Sequence, residues 1–176
     1  DFTSSSSSGV ALTNRGKFNG ITEKISYLKN LGINCIELMP VMAFRPEWGH
    51  SWGYASGQFF SPSQLYGHPD DLKKLVDTAH QNGIAVILDV VYNHTVQDCL
   101  WDIDTGSDYA SKYYFDHVTD WGSGFDYSQP KVLEFFKDNV EFWLSEYHVD
   151  GFRFDAVSKI NGAGADSSGY DFFRQI

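Results

Sequence analysis

The stretch Ile84-Ala-Val-Ile-Leu-Asp-Val-Val-Tyr-Asn-His94 decides how the rest of this chain is read. Gly83 precedes it, residues 84–91 are apolar apart from Asp89, and Asn93 and His94 follow the last apolar positions. An apolar run of this length behind a glycine predicts a buried strand that delivers ionisable and amide side chains at its carboxyl end. Gly151-Phe-Arg-Phe-Asp155 has the same construction. Strand alternation puts Phe152 and Phe154 on one side, and Arg153 with Asp155 on the other. A carboxylate two residues from a guanidinium is expected to favour its charged form, which suits a nucleophile better than a proton donor. A buried structural ion pair is the plainer alternative.

Helices and strands alternate around these two segments. Ile21, Ile25, Leu28 and Leu31 recur at helical spacing, Gly32 ends that helix, and Ile33 to Val41 reads as a strand. Pro69, Asp70 and Asp71 open a second helix carrying Leu72, Leu75, Val76 and Ala79, the two acids placed for the helix N-terminus rather than for acid–base work. Pro130 opens a third, with Val132, Leu133, Phe136, Val140, Trp143, Leu144 and Tyr147 on its apolar face. A last helix is expected from about Tyr170. The Ser-rich start, Asp1 to Asn14, reads as a flexible loop, with Asp1-Phe2 as the tail of a further strand.

Helix-to-strand connections are tight: Gly32, Gly83, and His148-Val149-Asp150. Strand-to-helix connections are long: Met42 to His68, and Tyr92 to Gln129. Long loops gathered at the carboxyl ends of parallel strands predict an α/β fold, a partial (β/α)8 TIM barrel. The competing doubly wound sheet carries a Gly-rich phosphate turn, and no G-x-G-x-x-G follows any of these strands. Three complete strands cannot close such a barrel. Residues 1–176 are therefore expected to be the amino-terminal half of one, with 92–129 the long loop after its third strand and the remainder of the barrel as a necessary partner.

The net charge of −10 and the lack of any Lys/Arg-rich run argue against nucleic acid. No apolar run is long enough to span a membrane. No segment reads as a signal peptide, and the compartment stays open between cytoplasmic and exported. Ten Tyr and five Trp, many in expected loops, fit a surface that stacks on sugar rings. Cys35, inside Ile33-Asn-Cys-Ile36, reads as a small buried hydrophobe and Cys99 as a loop residue, both free thiols rather than a disulfide. The remaining histidines, His50, His68, His80, His117 and His148, show no metal-ligand spacing.

These segments resemble the α-amylase superfamily, glycoside hydrolase family thirteen. Asp89-Val-Val-Tyr-Asn-His94 is similar to its first conserved region and Gly151-Phe-Arg-Phe-Asp155 to its second. Glu37-Leu-Met-Pro-Val41 looks like its second barrel strand, which would make the three strands here the second to the fourth. Trp52-Gly-Tyr54 resembles the loop whose tyrosine stacks on the reacting sugar. Tyr66-Gly-His-Pro-Asp-Asp-Leu72 and Trp143-Leu-Ser-Glu-Tyr-His-Val-Asp-Gly151 are similar to stretches of amylases, debranching and branching enzymes. The resemblance implies that Asp155 is the catalytic nucleophile, that Arg153 orients it, and that Asp89 buttresses Arg153. It implies that His94 hydrogen-bonds the sugar and that Tyr54, with Trp52 beside it, provides the stacking surface. It implies no cofactor for the chemistry and a structural calcium ion at Asn93. Ser158-Lys159 departs from the family, where many amylases have Lys-His.

A retaining glycosidase needs a charged nucleophile and a protonated acid about 5 to 5.5 Å apart. The family's acid is a Glu on the next strand, so the chain alone is expected to be inactive. The expected function is part of a retaining hydrolase of α-glucan oligosaccharides or polysaccharides, α-amylase-like or debranching. One alternative is a branching transglycosylase, in which a sugar hydroxyl replaces water. Another is a non-catalytic amylase-like subunit or binding module, against which Asp89, His94, Arg153 and Asp155 together weigh.

Overall fold

The computed structural model describes residues 2–44, 52–96, 115–160 and 172–174. In chain order the regular elements are α1 (Phe18–Thr22), α2 (Ile25–Asn30), β1 (Cys35–Leu38), β2 (Met42–Phe44), β3 (Ser56–Pro62), α3 (Pro69–Gln81), β4 (Ala85–Val90), β5 (His94–Thr95), β6 (Phe115–Thr119), β7 (Gly122–Phe125), α4 (Pro130–Tyr147) and β8 (Gly151–Phe154). Strands β1, β4 and β8 form a parallel sheet in that order. The chain advances across it in one direction, without the reversal of strand order at which a doubly wound sheet binds its ligand.

Local chemistry sets the helix ends. Pro69 begins α3, the His68 ring accepts from Asp70 N–H, and Asp71 accepts from His68 N–H at 2.8 Å, so the first turn is capped in both directions. Gly83, at φ +73°, reverses the chain after α3, and His148, at φ +55°, does so after α4. Both turns feed a parallel strand within a few residues.

Register separates two faces. Val86, Leu88 and Val90 of β4 point toward the helices and are wholly buried, as are Leu72, Leu75 and Ala79 of α3 and Phe136 and Trp143 of α4. Each of these valines, leucines and the phenylalanine contributes roughly 1.5–3 kcal/mol by leaving water. A Leu88→Ala change would cost about 2–5 kcal/mol. The opposite face carries Cys35 and Glu37 of β1, Ala85, Ile87 and Asp89 of β4, and Gly151 and Arg153 of β8, level with one another through the pairs Cys35–Ala85, Glu37–Ile87, Ile87–Gly151 and Asp89–Arg153. No helix among the described residues is long and apolar enough to cross a membrane.

Several expectations need correction. Cys35 is exposed, because register places it on the open face of an edge strand rather than against the helices. The single helix expected across 21–31 is two short ones: Glu23, between them, turns its carboxylate to Ala11 N–H and the Asn14 amide, and Leu31 is exposed. Phe2 lies in a turn, not a strand, and the Ser-rich start contains two 3-10 turns. The long connections are not bare loops. One contains the antiparallel pair β2–β3, and the other the small sheet β5–β7–β6. Cys99, His50 and most of the helix expected from Tyr170 lie outside the described residues, although Phe172 and Phe173 are helical.

Candidate active site

Asp89 and Asp155 sit at the carboxyl ends of adjacent parallel strands, where β4 and β8 stop and the long connections begin. Asp89 is 2% exposed. A carboxylate so far from water needs charged or hydrogen-bonded partners. Arg153, directly opposite in register, supplies them: its Nη1 donates to both Asp89 oxygens at 2.9 and 2.8 Å. The same nitrogen donates to Asp155 Oδ1 at 2.8 Å. Tyr54 completes the arrangement, its hydroxyl donating to Asp89 Oδ2 at 2.6 Å. One guanidinium nitrogen thus joins two aspartates from neighbouring strands, and a tyrosine from the preceding loop is tied to the same point.

The electrostatics follow from these contacts. The hydrogen bond to Asp89 raises the Arg153 pKa further, against desolvation and with help from Asp155, so the guanidinium stays cationic. Burial, then the bond to Asp89, pushes the Tyr54 phenol up to about 12, and the hydroxyl remains a donor. His94 is 3% exposed. Burial lowers its pKa, while the nearby Asp155 charge and a hydrogen bond to the Tyr54 backbone act the other way. The result favours a neutral imidazole.

Asn93 links the two halves. Its Nδ2 donates to the Asp155 carbonyl at 2.9 Å and faces Asp155 Oδ2 at 3.4 Å, while its Oδ1 meets His94 Nδ1. Asp155 N–H donates to Val90 O, and Ala156 follows in the left-handed region at φ +40°, turning the chain sharply away from the carboxylate. Asp155 Oδ1 is therefore held firmly and Oδ2 only by a long contact. A calcium ion takes six to eight oxygens. Asn93 offers one oxygen, already facing His94, and no three His, Cys, Asp or Glu side chains cluster among the described residues.

Trp52 stands apart from this network. It is exposed, and it lines a groove of about 460 Å³ beside β1 with Phe2, Leu38, Met39 and Tyr66. Two further features escaped the sequence reading. Trp121, at the β6–β7 turn, packs on His94 with ring centroids 5.5 Å apart. Beneath the site, buried Asn139 of α4 accepts from the Tyr92 hydroxyl at 2.6 Å and donates to Phe59 O at 2.8 Å, while the Tyr127 hydroxyl donates to Tyr92 O. This network ties β3 and the end of β4 to one helix. An amide among the apolar positions of α4, and the turn sequence Asp120-Trp-Gly122, were the signals available.

The α-amylase catalytic-domain model matches residues 1–120 and 101–171. This chain belongs to the α-amylase family. It is 40% identical over 151 residues to malto-oligosyltrehalose trehalohydrolase of Saccharolobus solfataricus, covering 84% of the chain and 26% of that protein. It is 40% identical over 141 residues to a 1,4-α-glucan branching enzyme of Picrophilus torridus, covering 77% of the chain and 20% of that protein. Among solved structures it is similar to an α-amylase from Geobacillus thermoleovorans complexed with acarbose, with a TM-score of 0.74 and 27% identity over 90% of this chain and 37% of that one. The chain thus spans about a quarter or less of the length of these two relatives. A parallel sheet with charged strand ends, the layout expected of part of a barrel, is what this family predicts.

Proposed function

We propose that the chain is the amino-terminal half of the catalytic (β/α)8 barrel of a retaining α-glucan hydrolase, with β1, β4 and β8 as its second to fourth strands. The observation that carries this reading is the single Arg153 nitrogen bridging Asp89 and Asp155 at the carboxyl ends of adjacent strands. Asp155 is the nucleophile. Its Oδ1 is anchored by Arg153, and Oδ2, held only by the 3.4 Å bond from Asn93, attacks the anomeric carbon as the glycosidic C–O bond breaks. Asp89 fixes Arg153. Neutral His94 is suited to hydrogen-bonding a sugar hydroxyl, and the Tyr54 ring, held through its hydroxyl, offers a flat face to the reacting sugar. The leaving oxygen takes its proton from a carboxylic acid supplied by the rest of the barrel, and water then releases the glycosyl group from Asp155. No cofactor enters these steps.

The substrate is an α-glucan oligosaccharide or polysaccharide. The relatives include both a trehalohydrolase and a branching enzyme, so hydrolysis and transfer are decided by experiment. The intact protein is incubated with amylose while reducing ends and branch points are both measured. Hydrolysis raises the first alone; a rise in branch points with constant reducing ends would make the protein a transglycosylase of the same fold. An intact protein that changes neither, and that releases no new reducing ends from a branched glucan such as glycogen, would be the non-catalytic subunit.

A further inference from the structure

The β6–β7 hairpin holds a residue that the chemistry at Asp155 does not use. Trp121 is 50% exposed, yet its ring lies against buried His94. Three features of the hairpin fix it there. His94 and Thr95 pair with Gly124 and Ser123, which sets the hairpin's register against the residue that Trp121 touches. Gly122, next to the tryptophan, has φ +151°, and a Cβ built on it would fall 2.0 Å from Thr95 O, so only glycine allows this approach. Thr119 Oγ1 accepts from the N–H groups of Trp121 and Gly122 at 3.1 Å each and donates to Gly122 O at 2.9 Å, which closes the turn. The turn thus holds an amphipathic ring with its face half in solvent beside the candidate site.

We propose that Trp121 is a stacking platform for the glucan unit next to the one attacked by Asp155, and that it sets the preference for chain length. The proposal rests on Asp155 being the nucleophile. The C–H face of a pyranose is flat and apolar, and it matches an indole held rigid at the mouth of a site. The rival role is packing, with the indole simply shielding His94 from water. Packing affects every substrate alike, whereas a platform matters only to substrates long enough to reach it.

Two variants of the intact protein separate these roles. Trp121→Leu keeps an apolar cover over His94 but has no flat face; Trp121→Phe keeps both. For maltoheptaose, KM should rise roughly tenfold in Trp121→Leu and stay within about threefold of wild type in Trp121→Phe. Turnover of α-glucosyl fluoride, whose single glucose is the unit attacked and does not reach the platform, should be unchanged in both. Equal losses on both substrates, or an unchanged KM for maltoheptaose in Trp121→Leu, would overturn the proposal. The same pair is compared by calorimetry with maltoheptaose in an Asp155→Asn background, where the roughly tenfold loss of affinity should recur. If Asp155→Asn itself proves active, the nucleophile reading fails, and the affinity comparison still decides the role of Trp121.

Discussion

Asp150 and Asp155 flank the same strand, one just before β8 and one just after it, and they are held in opposite ways. The Asp150 carboxylate accepts from Val86 N–H at 2.7 Å and meets His80 Nε2 at 2.8 Å. Both bonds go to one oxygen, and both tie the beginning of β8 to the beginning of β4 and the end of α3. Asp155 instead bonds upward into its own strand end: one oxygen to Arg153, the other only at 3.4 Å from Asn93. A carboxylate spent on backbone N–H groups is a clamp. One beside an arginine at the strand's carboxyl end, its second oxygen held only by a long contact, is available for chemistry. The difference matches the barrel rule that the amino-terminal face serves stability and the carboxyl-terminal face catalysis.

The comparison breaks most sharply if the two residues respond alike to the same change. In the intact protein, Asp155→Asn should lower kcat by several powers of ten, because the amide cannot form the glycosyl-enzyme bond, while maltoheptaose affinity stays within a few-fold of wild type. Residual activity above roughly a tenth of wild type would return Asp155 to the role of a structural ion pair.

Arg153 gives the next largest effect. Arg153→Met removes the cation from a carboxylate that is 2% exposed, and should lower kcat about a hundredfold and stability by about 1–3 kcal/mol, the guanidinium being half in solvent. All three of its bonds come from Nη1. Arg153→Lys, which can bring one nitrogen to the same place, should therefore recover part of both losses. If lysine does no better than methionine in urea unfolding and steady-state kinetics, the fork geometry matters more than the charge.

Tyr54→Phe keeps the ring and removes only the hydroxyl bond to Asp89. A loss of about tenfold in kcat/KM is expected, since Arg153 still satisfies Asp89. With its pKa pushed up to about 12, the hydroxyl donates across the working range, so the pH profile should not move. A profile that shifts in Tyr54→Phe would mean that the phenol titrates during turnover.

Much of this was legible because it depends on local rules. Gly83 and Pro130 marked element ends, the alternation in Gly151-Phe-Arg-Phe-Asp155 put Arg153 and Asp155 on one side, and the long connections pointed to the sheet's carboxyl end. What was not legible depends on register between distant segments. Cys35 looked buried because its neighbours are apolar, but its pairing with Ala85 faces it away from the helices. The hydroxyl of Tyr54 meets Asp89, 35 residues away in sequence, through a loop path that no periodicity describes. Trp121 reaches His94 only because β5 pairs with β7.

Asp150→Asn is the smallest expected change and the one that tests the clamp directly. The amide can still accept from Val86 N–H but loses the charge that strengthens this bond and the one to His80, so stability should fall by about 1 kcal/mol with kcat unchanged. Burial opposes ionisation of Asp150, yet the Val86 N–H and His80 together bring its pKa below the ordinary aspartate value of 3.8. A depressed folded-state pKa stabilises the protein above the unfolded value, and that contribution is lost as pH falls through the folded value. Wild type and Asp150→Asn should therefore differ in urea midpoint at neutral pH, begin to approach each other as pH falls through 3.8, and converge only beneath the folded-state value, where the aspartate is protonated in both states. A gap that stays constant down the acid limb would mean that Asp150 acts through shape rather than charge. A fall in kcat at neutral pH would mean that the two ends of β8 are coupled, and the division between clamp and nucleophile would no longer hold.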